Sequence, residues 1–264
     1  MTRVISAVVL LAIVGGVLLM APWEATLALA ALIAALAGVE VASLSRAVGA
    51  PVPVFVVAVS AVAVCAAVPI GMNHGDGLVV VLLALVIVGG AVTLAGGPPA
   101  PARLTAAAIV FMAPLYVGLP LGAVAWIDLW FGPRPVVFVI AVIAISDSAQ
   151  YFVGRALGRR KLAASVSPAK TVEGALGGLV AAAVTGAVLG PRWGLAGSPL
   201  VGVGLGIGLA LLGILGDLFE SLLKRSADVK DSSALIPGHG GVLDRVDAYL
   251  FAIPAYVLFL RYSG

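Results

Sequence analysis

A dense group of charged residues lies at residues 221–247, between two apolar segments. It contains four cations, four carboxylates and one of the chain's two histidines. A loop that only fixes orientation in a membrane needs no more than a few Lys or Arg residues. Because carboxylates hold metal ions and cations hold phosphates, this segment predicts a phosphate and metal site at the membrane surface.

A polar stripe ends the apolar segment that precedes this group. Its members are spaced at i, i+3, i+4 and i+7: Asp217, Glu220, Ser221 and Lys224. A helix places residues with this spacing on one face. Since apolar helix is ending at Asp217, its carboxylate needs a cation or a metal ion nearby. The simpler interpretation is a Glu220–Lys224 salt bridge beside an interfacial aspartate.

Two further acids, Asp244 and Asp247, begin the next apolar segment at i and i+3. Facing Asp217, they would form the oxygen-rich, partly hydrated site that Mg²⁺ prefers. Acids at a helix N-terminus also stabilise the helix dipole, which is the simpler interpretation of this pair. That interpretation leaves the glycine-rich turn before them unexplained.

The turn Pro237-Gly-His-Gly-Gly241 is poor in side chains, so its backbone N–H groups can approach an anion closely. Four cations lie around it in the sequence: Lys224, Arg225, Lys230 and Arg245. Neutralising phosphate charge with such donors is how phosphoryl-transfer sites generally work. We therefore expect the turn and its cations to contact a polyphosphate.

A second polar block lies between residues 147 and 174. It contains Asp147-Ser-Ala-Gln-Tyr151, Gly154-Arg155, the basic group Arg159-Arg160-Lys161 and Ser167-Pro-Ala-Lys-Thr-Val-Glu-Gly174. Ser167 or Thr171 is placed to cap the helix that follows. The basic group also fits an orientation signal or a lipid-binding surface. We expect both blocks to meet on one membrane face.

The composition indicates a polytopic membrane protein. Of the 264 residues, 62% are hydrophobic and only 10% are charged, whereas about a quarter of a soluble domain is charged. A helix needs roughly 20 apolar residues to cross the hydrocarbon region. The candidate runs are about 4–20, 24–43, 52–70, 77–96, 105–126, 135–153, 174–190, 199–220 and 247–261. We predict an all-α bundle of about nine transmembrane helices.

Residues 201–208 alternate between glycine and an apolar residue, which is a period typical of strands. An open strand in lipid would leave backbone groups unsatisfied, so we predict a helix here. Within that helix, Gly202 and Gly206 have the GxxxG spacing of close helix contacts, and so do Gly204 and Gly208.

The distribution of cations predicts the orientation in the membrane. With nine crossings, 12 of the 15 Lys and Arg residues fall in one set of connections, and Arg134, Arg192 and Arg261 fall in the other. The positive-inside rule places the larger set in the cytoplasm. We therefore expect a multi-pass protein of the cell membrane with its N-terminus and its site inside and its C-terminus outside. The net charge of +3 reflects this topology and predicts no nucleic-acid partner.

The two halves of the chain differ in polar content. Residues 1–130 are Ala, Val and Leu helices with short Pro/Gly loops, which we interpret as scaffold. Residues 131–264 carry both polar blocks and form the catalytic region of the same integral membrane unit. Glu40 is the one intramembrane acid predicted for the first half. It is a functional candidate, although a hydrogen-bonded or snorkelling role explains it more simply.

Together, the two polar blocks resemble a known enzyme family. Ser221-x-Leu-Lys-Arg, Lys230-Asp231, Ser233 and Ile236-Pro-x-His-Gly-Gly-Val-x-Asp-Arg-Val-Asp247 are similar to the signature of phosphatidate cytidylyltransferases, the CDP-diacylglycerol synthases. The second block resembles another conserved segment of that family. The chain departs from the pattern at Gln150 and Val172, which bear on packing more than on phosphate chemistry.

The resemblance implies that CTP reacts with phosphatidate, or a related anionic lipid, to give CDP-diacylglycerol and pyrophosphate. It implies Mg²⁺, leaves room for a second metal ion, and is compatible with a homodimer in contact with membrane lipids. The implied catalytic residues are Asp217, Lys224, Arg225, Lys230, Asp231, His239, Asp244, Arg245 and Asp247. The implied substrate-binding residues are Asp147, Tyr151, Ser167, Lys170, Thr171, Glu173, Ser221, Gly240 and Gly241. The metal carboxylates would be Asp217, Asp244 and Asp247.

Two other functions remain as alternatives. A CTP-dependent lipid kinase of the polyprenol or phytol type needs the same ingredients but releases CDP instead of pyrophosphate. An ion-coupled transporter would place its acids near the middle of the membrane, whereas these acids cluster at one predicted membrane edge.

Overall fold

The computed structural model describes residues 2–236, 238 and 240–262, with side chains for all of these except residues 2–7 and His74. Pro237 and His239 of the predicted turn therefore lie outside the described residues. The helices are α1 Thr2–Met20, α2 Trp23–Ala47, α3 Val54–His74, α4 Asp76–Ala95, α5 Pro101–Ala113, α6 Leu119–Phe131, α7 Pro133–Leu157, α8 Val172–Arg192, α9 Pro199–Ser226 and α10 Leu243–Tyr262. A π-helical segment, Pro114–Gly118, joins α5 to α6.

The predicted all-α membrane architecture is confirmed. Each of the nine apolar runs is helical in the described part of the chain, the fifth as the continuous helical stretch Pro101–Phe131. By length and composition, seven of these helices can cross a membrane, and α1 adds a shorter apolar stretch, Val8–Met20. The chain is thus a multi-pass membrane protein in which nine is an approximate number of crossings.

The chain folds into two compact units. The first contains the N-terminal helices through Trp130 together with Ser226–Arg245. The second contains Phe131–Arg225 together with the chain from Val246 onward. The loop that carries the glycine-rich turn therefore packs with the N-terminal helices.

Small residues allow the helices of the first unit to pack closely. A Cβ at Gly38 of α2 would lie 3.3 Å from Cα of Ala58 on α3. A Cβ at Gly118, in the π-helical segment, would lie 2.6 Å from the carbonyl oxygen of Ala61 on α3. Helices in lipid associate through such close contacts because they gain little from burying apolar surface.

The first unit also buries an acid that the sequence analysis placed outside its membrane segments. Asp128 lies inside α6 with 9% of its surface exposed. Thr26 of α2 donates a hydrogen bond of 2.6 Å to its Oδ2. Glu40 is therefore not the one intramembrane acid of the first half, because the fifth apolar helix extends five residues beyond its predicted end at 126.

In the second unit, one glycine pair of α9 is used and the other is not. A Cβ at Gly202 or Gly206 would overlap the carbonyl oxygens of Gly186 and Ala182 on α8. At Gly204 and Gly208, no heavy atom of the described residues lies within 4 Å of the Cβ position. Only Gly202 and Gly206 therefore form the close contact that the GxxxG spacing predicts.

A short hairpin in the second block was not predicted. Strands β1 Lys161–Ala163 and β2 Ser167–Thr171 pair in antiparallel orientation, with Lys161 opposite Thr171. The hairpin connects α7 to α8. It does not change the fold class, since the remainder of the described chain is helices and their connections.

The glycine contact predicts how two matched substitutions differ. Gly206→Ala should destabilise the protein by about 1–3 kcal/mol, because the added methyl group overpacks the α8 interface. Gly204→Ala should leave stability unchanged or slightly higher, since its side chain enters open space and alanine favours helix. Thermal unfolding of the two purified variants in the same detergent measures this difference. Equal midpoints for both variants would contradict the α8–α9 contact.

Candidate active site

The polar face of α9 forms the centre of a charged cluster in the second unit. Lys170, on β2, makes an ion pair through Nζ with Oδ2 of Asp217. Ser221, one turn after Asp217, donates a hydrogen bond of 3.3 Å to its Oδ1. Both oxygens of this carboxylate are therefore engaged by the protein. The cation that an acid at this position requires comes from the second polar block.

Two more carboxylates lie near enough to Asp217 to interact with it electrostatically. Asp147 on α7 interacts with Asp217 and Lys170, and Asp247 on α10 interacts with Asp217 and Asp147. Asp247 approaches α9 closely because Gly216 has no side chain: a Cβ there would contact the carbonyl oxygen of Asp247. Gln150 donates a hydrogen bond of 2.9 Å to Oδ1 of Asp147. The predicted meeting of the second block with α9 is thus observed within this unit.

Glu220 and Lys224 form the predicted salt bridge one turn further along α9. The Glu220 side chain is completely buried, and that of Lys224 is 11% exposed. A buried carboxylate needs such a partner, because an uncompensated charge is costly away from water. The pairing means that Lys224 already matches a negative charge of the protein, so a phosphate would have to share it.

The hairpin that carries Lys170 is fixed at its base. Thr171 is the N-cap of α8, and its Oγ1 accepts a hydrogen bond of 3.1 Å from Gly174 N. Glu173 accepts hydrogen bonds of 2.9 and 3.1 Å from the backbone N–H groups of Arg159 and Arg160. Its other oxygen pairs with the Arg160 guanidinium at 3.0 Å. These contacts set the position from which Lys170 reaches Asp217.

In the first unit, Asp244 organises the loop before α10. Its Oδ2 accepts hydrogen bonds from Ser232 N at 3.0 Å, Ser232 Oγ at 2.8 Å and Gly241 N at 2.7 Å. Both predicted interpretations of this acid, metal ligand and helix N-terminus, remain compatible with its place in the first turn of α10. Through these contacts, Asp244 connects Ser232, near the start of the loop, to Gly241, near its end.

Glu40 is the functional candidate to which the sequence assigned no specific role. It is 3% exposed on α2 and accepts four hydrogen bonds from the same loop. Oε1 accepts from Ser233 Oγ at 2.6 Å and Val242 N at 2.9 Å. Oε2 accepts from Ser232 Oγ at 2.9 Å and Leu243 N at 2.7 Å. The hydrogen-bonded interpretation is the correct one, and its partners belong to the signature segment.

The glycine turn depends on its glycines. Gly238 and Gly240 have φ of 78° and 79°, a region that favours glycine. Ile236 N donates a hydrogen bond of 2.8 Å to the carbonyl oxygen of Gly240. A Cβ at Gly240 would lie 2.8 Å from Oδ2 of Asp244, and one at Gly241 would crowd Glu40. The described residues thus form the tight turn that the sequence predicts. His239 lies outside them, so its predicted role stays a prediction.

The remaining predicted site residues are mostly at the surface. Arg225, Lys230, Asp231 and Arg245 are exposed, as is Tyr151, whose hydroxyl accepts a hydrogen bond of 3.2 Å from Arg155. Ser167 is half-buried at the start of β2. The exposed cations are accessible to an anionic ligand.

The acids of the second unit have the donor chemistry of a magnesium site. Asp147, Asp217 and Asp247 provide three carboxyl groups, and Lys170 pairs with the carboxylate of Asp217. Mg²⁺ prefers such oxygen donors. In the described ranges, no three His, Cys, Asp or Glu side chains are gathered closely enough to hold one ion. Ligation would therefore require the carboxylates to draw closer together.

Sequence comparisons relate this chain to known proteins. The chain is 40% identical over 136 residues to the uncharacterized protein YnbB of Escherichia coli. The matched region covers 50% of this chain and 44% of that protein. It is 42% identical over 139 residues to the phosphatidate cytidylyltransferase of Haemophilus influenzae, covering 50% of this chain and 47% of the relative. For the phosphatidate cytidylyltransferase of Bacillus subtilis, the identity is 44% over 134 residues and 50% of each protein is covered.

The chain thus spans about half the length of the curated relatives that it matches. The match to the sequence model of the cytidylyltransferase family is more extensive, because it includes residues 1–263. The chain therefore belongs to the cytidylyltransferase family.

Proposed function

We propose that this protein transfers a cytidylyl group from CTP to phosphatidate, giving CDP-diacylglycerol and pyrophosphate for phospholipid biosynthesis. The observation that carries the proposal is the ion pair between Lys170 and Asp217. It connects the second polar block to the polar stripe of α9, four residues before the signature segment begins at Ser221, although 47 positions separate Lys170 from Asp217 in the chain. Relatives that bear that name support the choice of substrates.

In this reaction, a phosphate oxygen of phosphatidate attacks the α-phosphorus of CTP. The bond from that phosphorus to the bridging oxygen of the β-phosphate breaks, and pyrophosphate leaves with the electron pair. Because the attacking oxygen is already anionic at neutral pH, no strong general base is needed. The task of the site is to bring two anions together and to balance their charge.

Cations for this task are proposed from both blocks. Lys230 and Arg245 are exposed beside the glycine turn and would contact the polyphosphate of CTP. Lys170 would add a charge next to the acids of the second unit. The basic residues Arg159 and Lys161 are exposed near the hairpin and would attract anionic lipid headgroups.

Mg²⁺ is the proposed cofactor, with Asp217 and Asp247 as its protein ligands in the second unit. When bound, the ion would neutralise phosphate charge and polarise the reacting phosphoryl group. Asp244 is the third predicted ligand, and its Oδ2 accepts three hydrogen bonds from Ser232 and Gly241. A second ion would need donors beyond these.

The product distinguishes this function from its nearest alternative. Purified protein given CTP labelled at the α-phosphate, phosphatidate and Mg²⁺ should form labelled CDP-diacylglycerol and release pyrophosphate. Omitting Mg²⁺ should stop both products. In a parallel reaction with a polyprenol in place of phosphatidate, release of CDP with a phosphorylated alcohol would instead indicate a lipid kinase and would overturn the proposal.

Asp217→Asn and Asp247→Asn should each lower turnover by roughly 10²–10³-fold, as loss of a charge-stabilising group in a polar active site commonly does. Asp228→Asn is the matched control, since Asp228 is exposed in the connection between α9 and α10 and asparagine tolerates its positive φ of 54°. Turnover at several Mg²⁺ concentrations, with thermal unfolding to verify folding, tests this. Normal turnover in a folded Asp247→Asn protein would rule out its assignment as a ligand.

The cation distribution supports a site on the cytoplasmic face of the cell membrane, which is the side on which CTP is available. Single cysteines at Arg159 and Ala234, both exposed, should react with a membrane-impermeant thiol reagent only after the cells are opened. Gly197, in the exposed connection between α8 and α9, is the control and should react in intact cells when replaced by cysteine. Reaction of the first two in intact cells would reverse the proposed orientation.

A further inference from the structure

The signature loop is attached to the N-terminal half of the chain through one carboxylate. Glu40 accepts hydrogen bonds from Ser232 and Ser233 at the beginning of the segment Ser232–Leu243 and from Val242 and Leu243 at its end. It thus fixes both ends of the segment that contains the glycine turn. Lys230 and Arg245, the proposed polyphosphate contacts, lie two residues outside these ends.

The bonds at the end of the segment act as a helix cap. The first N–H groups of a helix have no partner within the helix, and a nearby side chain in the sequence usually supplies one. At the start of α10, the acceptor for Val242 and Leu243 is instead a residue 202 and 203 positions away. The cap therefore ties the start of α10 to α2 as well as stabilising it.

Glu40 also works together with Asp244. The Ser232 hydroxyl lies 2.9 Å from Oε2 of Glu40 and 2.8 Å from Oδ2 of Asp244. A hydroxyl has one proton to donate, so the two carboxylates share this donor. Ser232 is itself buried, with 8% of its surface exposed. The loop is consequently held from α2 and from α10 at the same residue.

We propose that Glu40 is a positioning residue that holds the loop Ser232–Leu243 in its nucleotide-binding shape before CTP arrives. The identity of the nucleotide rests on the proposed function. Glu40 itself contacts no substrate and acts through the backbone and hydroxyl groups that it binds. Preorganising a loop in this way increases affinity because less ordering remains to be done on binding.

Glu40→Gln is the sharpest substitution. It keeps the size of the side chain, but its NH₂ group replaces one acceptor oxygen. Whichever way the amide is turned, that group faces a backbone N–H, of Val242 or of Leu243, and neither can rotate away as a hydroxyl can. Glu24→Gln is the matched control, because Glu24 lies on the same helix and is exposed. Ser233→Ala removes a hydroxyl partner but leaves both backbone bonds in place.

The first measurement is hydrogen–deuterium exchange of the purified, substrate-free proteins. We expect the amides of residues 232–243 to exchange about tenfold faster in Glu40→Gln, as loss of a hydrogen bond to a charged group predicts. Ser233→Ala should give a smaller change, and Glu24→Gln none. Exchange in α7 and α8 should be the same in all four proteins. Unchanged exchange in the loop, or an equal increase in α7 and α8, would overturn the proposal.

The second measurement separates positioning from general stability. In steady-state kinetics, Glu40→Gln should raise the KM for CTP by about tenfold and leave the KM for phosphatidate near that of the wild-type protein. A variant that is merely less stable would lose turnover in proportion to its unfolded fraction and would keep both KM values. Equal changes in both KM values, or none, would contradict a role in nucleotide binding. If the wild-type protein forms no CDP-diacylglycerol, the proposed function fails, while the exchange measurement still decides whether Glu40 holds the loop.

Discussion

A carboxylate in or beside the hydrocarbon region must have a donor or a cation within reach, because neither lipid nor a packed helix interior can solvate its charge. Among the described residues, the most deeply buried acids are Glu40, Asp128 and Glu220. Their partners come respectively from the signature loop, from Thr26 of α2 and from Lys224 of the same helix. The first two pairings decide which helices and loops of the first unit are neighbours, and the third keeps a buried charge of the second unit neutralised.

Close helix contacts provide the rigid frame for these charges. On α9, the face with Gly202 and Gly206 packs against α8, while Gly216 admits the backbone of Asp247. The same helix can therefore contact two neighbours and still present Asp217 on a polar face. A larger residue at these positions would overlap the backbone of a neighbouring helix, so the helices would have to move apart. Packing and charge are thus parts of one arrangement.

Much of this arrangement could be predicted from local patterns in the sequence. The apolar runs give the helices, and the i, i+4 spacing gives the Glu220–Lys224 pair, since both depend on a regular helix alone. The partner of Asp217 could not be identified, because any of several cations in the two blocks would satisfy it. Nor could the donors to Glu40, which lie about 200 positions away. The hairpin was not predicted because its strands, of three and five residues, are too short to show the alternating pattern of a strand.

The order in which the chain is synthesised gives the pairings different consequences during membrane insertion. Glu220 and Lys224 leave the ribosome within one helical turn, so this pair enters the membrane already neutralised. Lys170 is made before Asp217, so the cation that pairs with Asp217 is already present when α9 emerges. Glu40 is different, because its backbone donors are made about 200 residues after it. Until the signature loop is made, the nascent protein lacks these donors for the carboxylate near the end of α2.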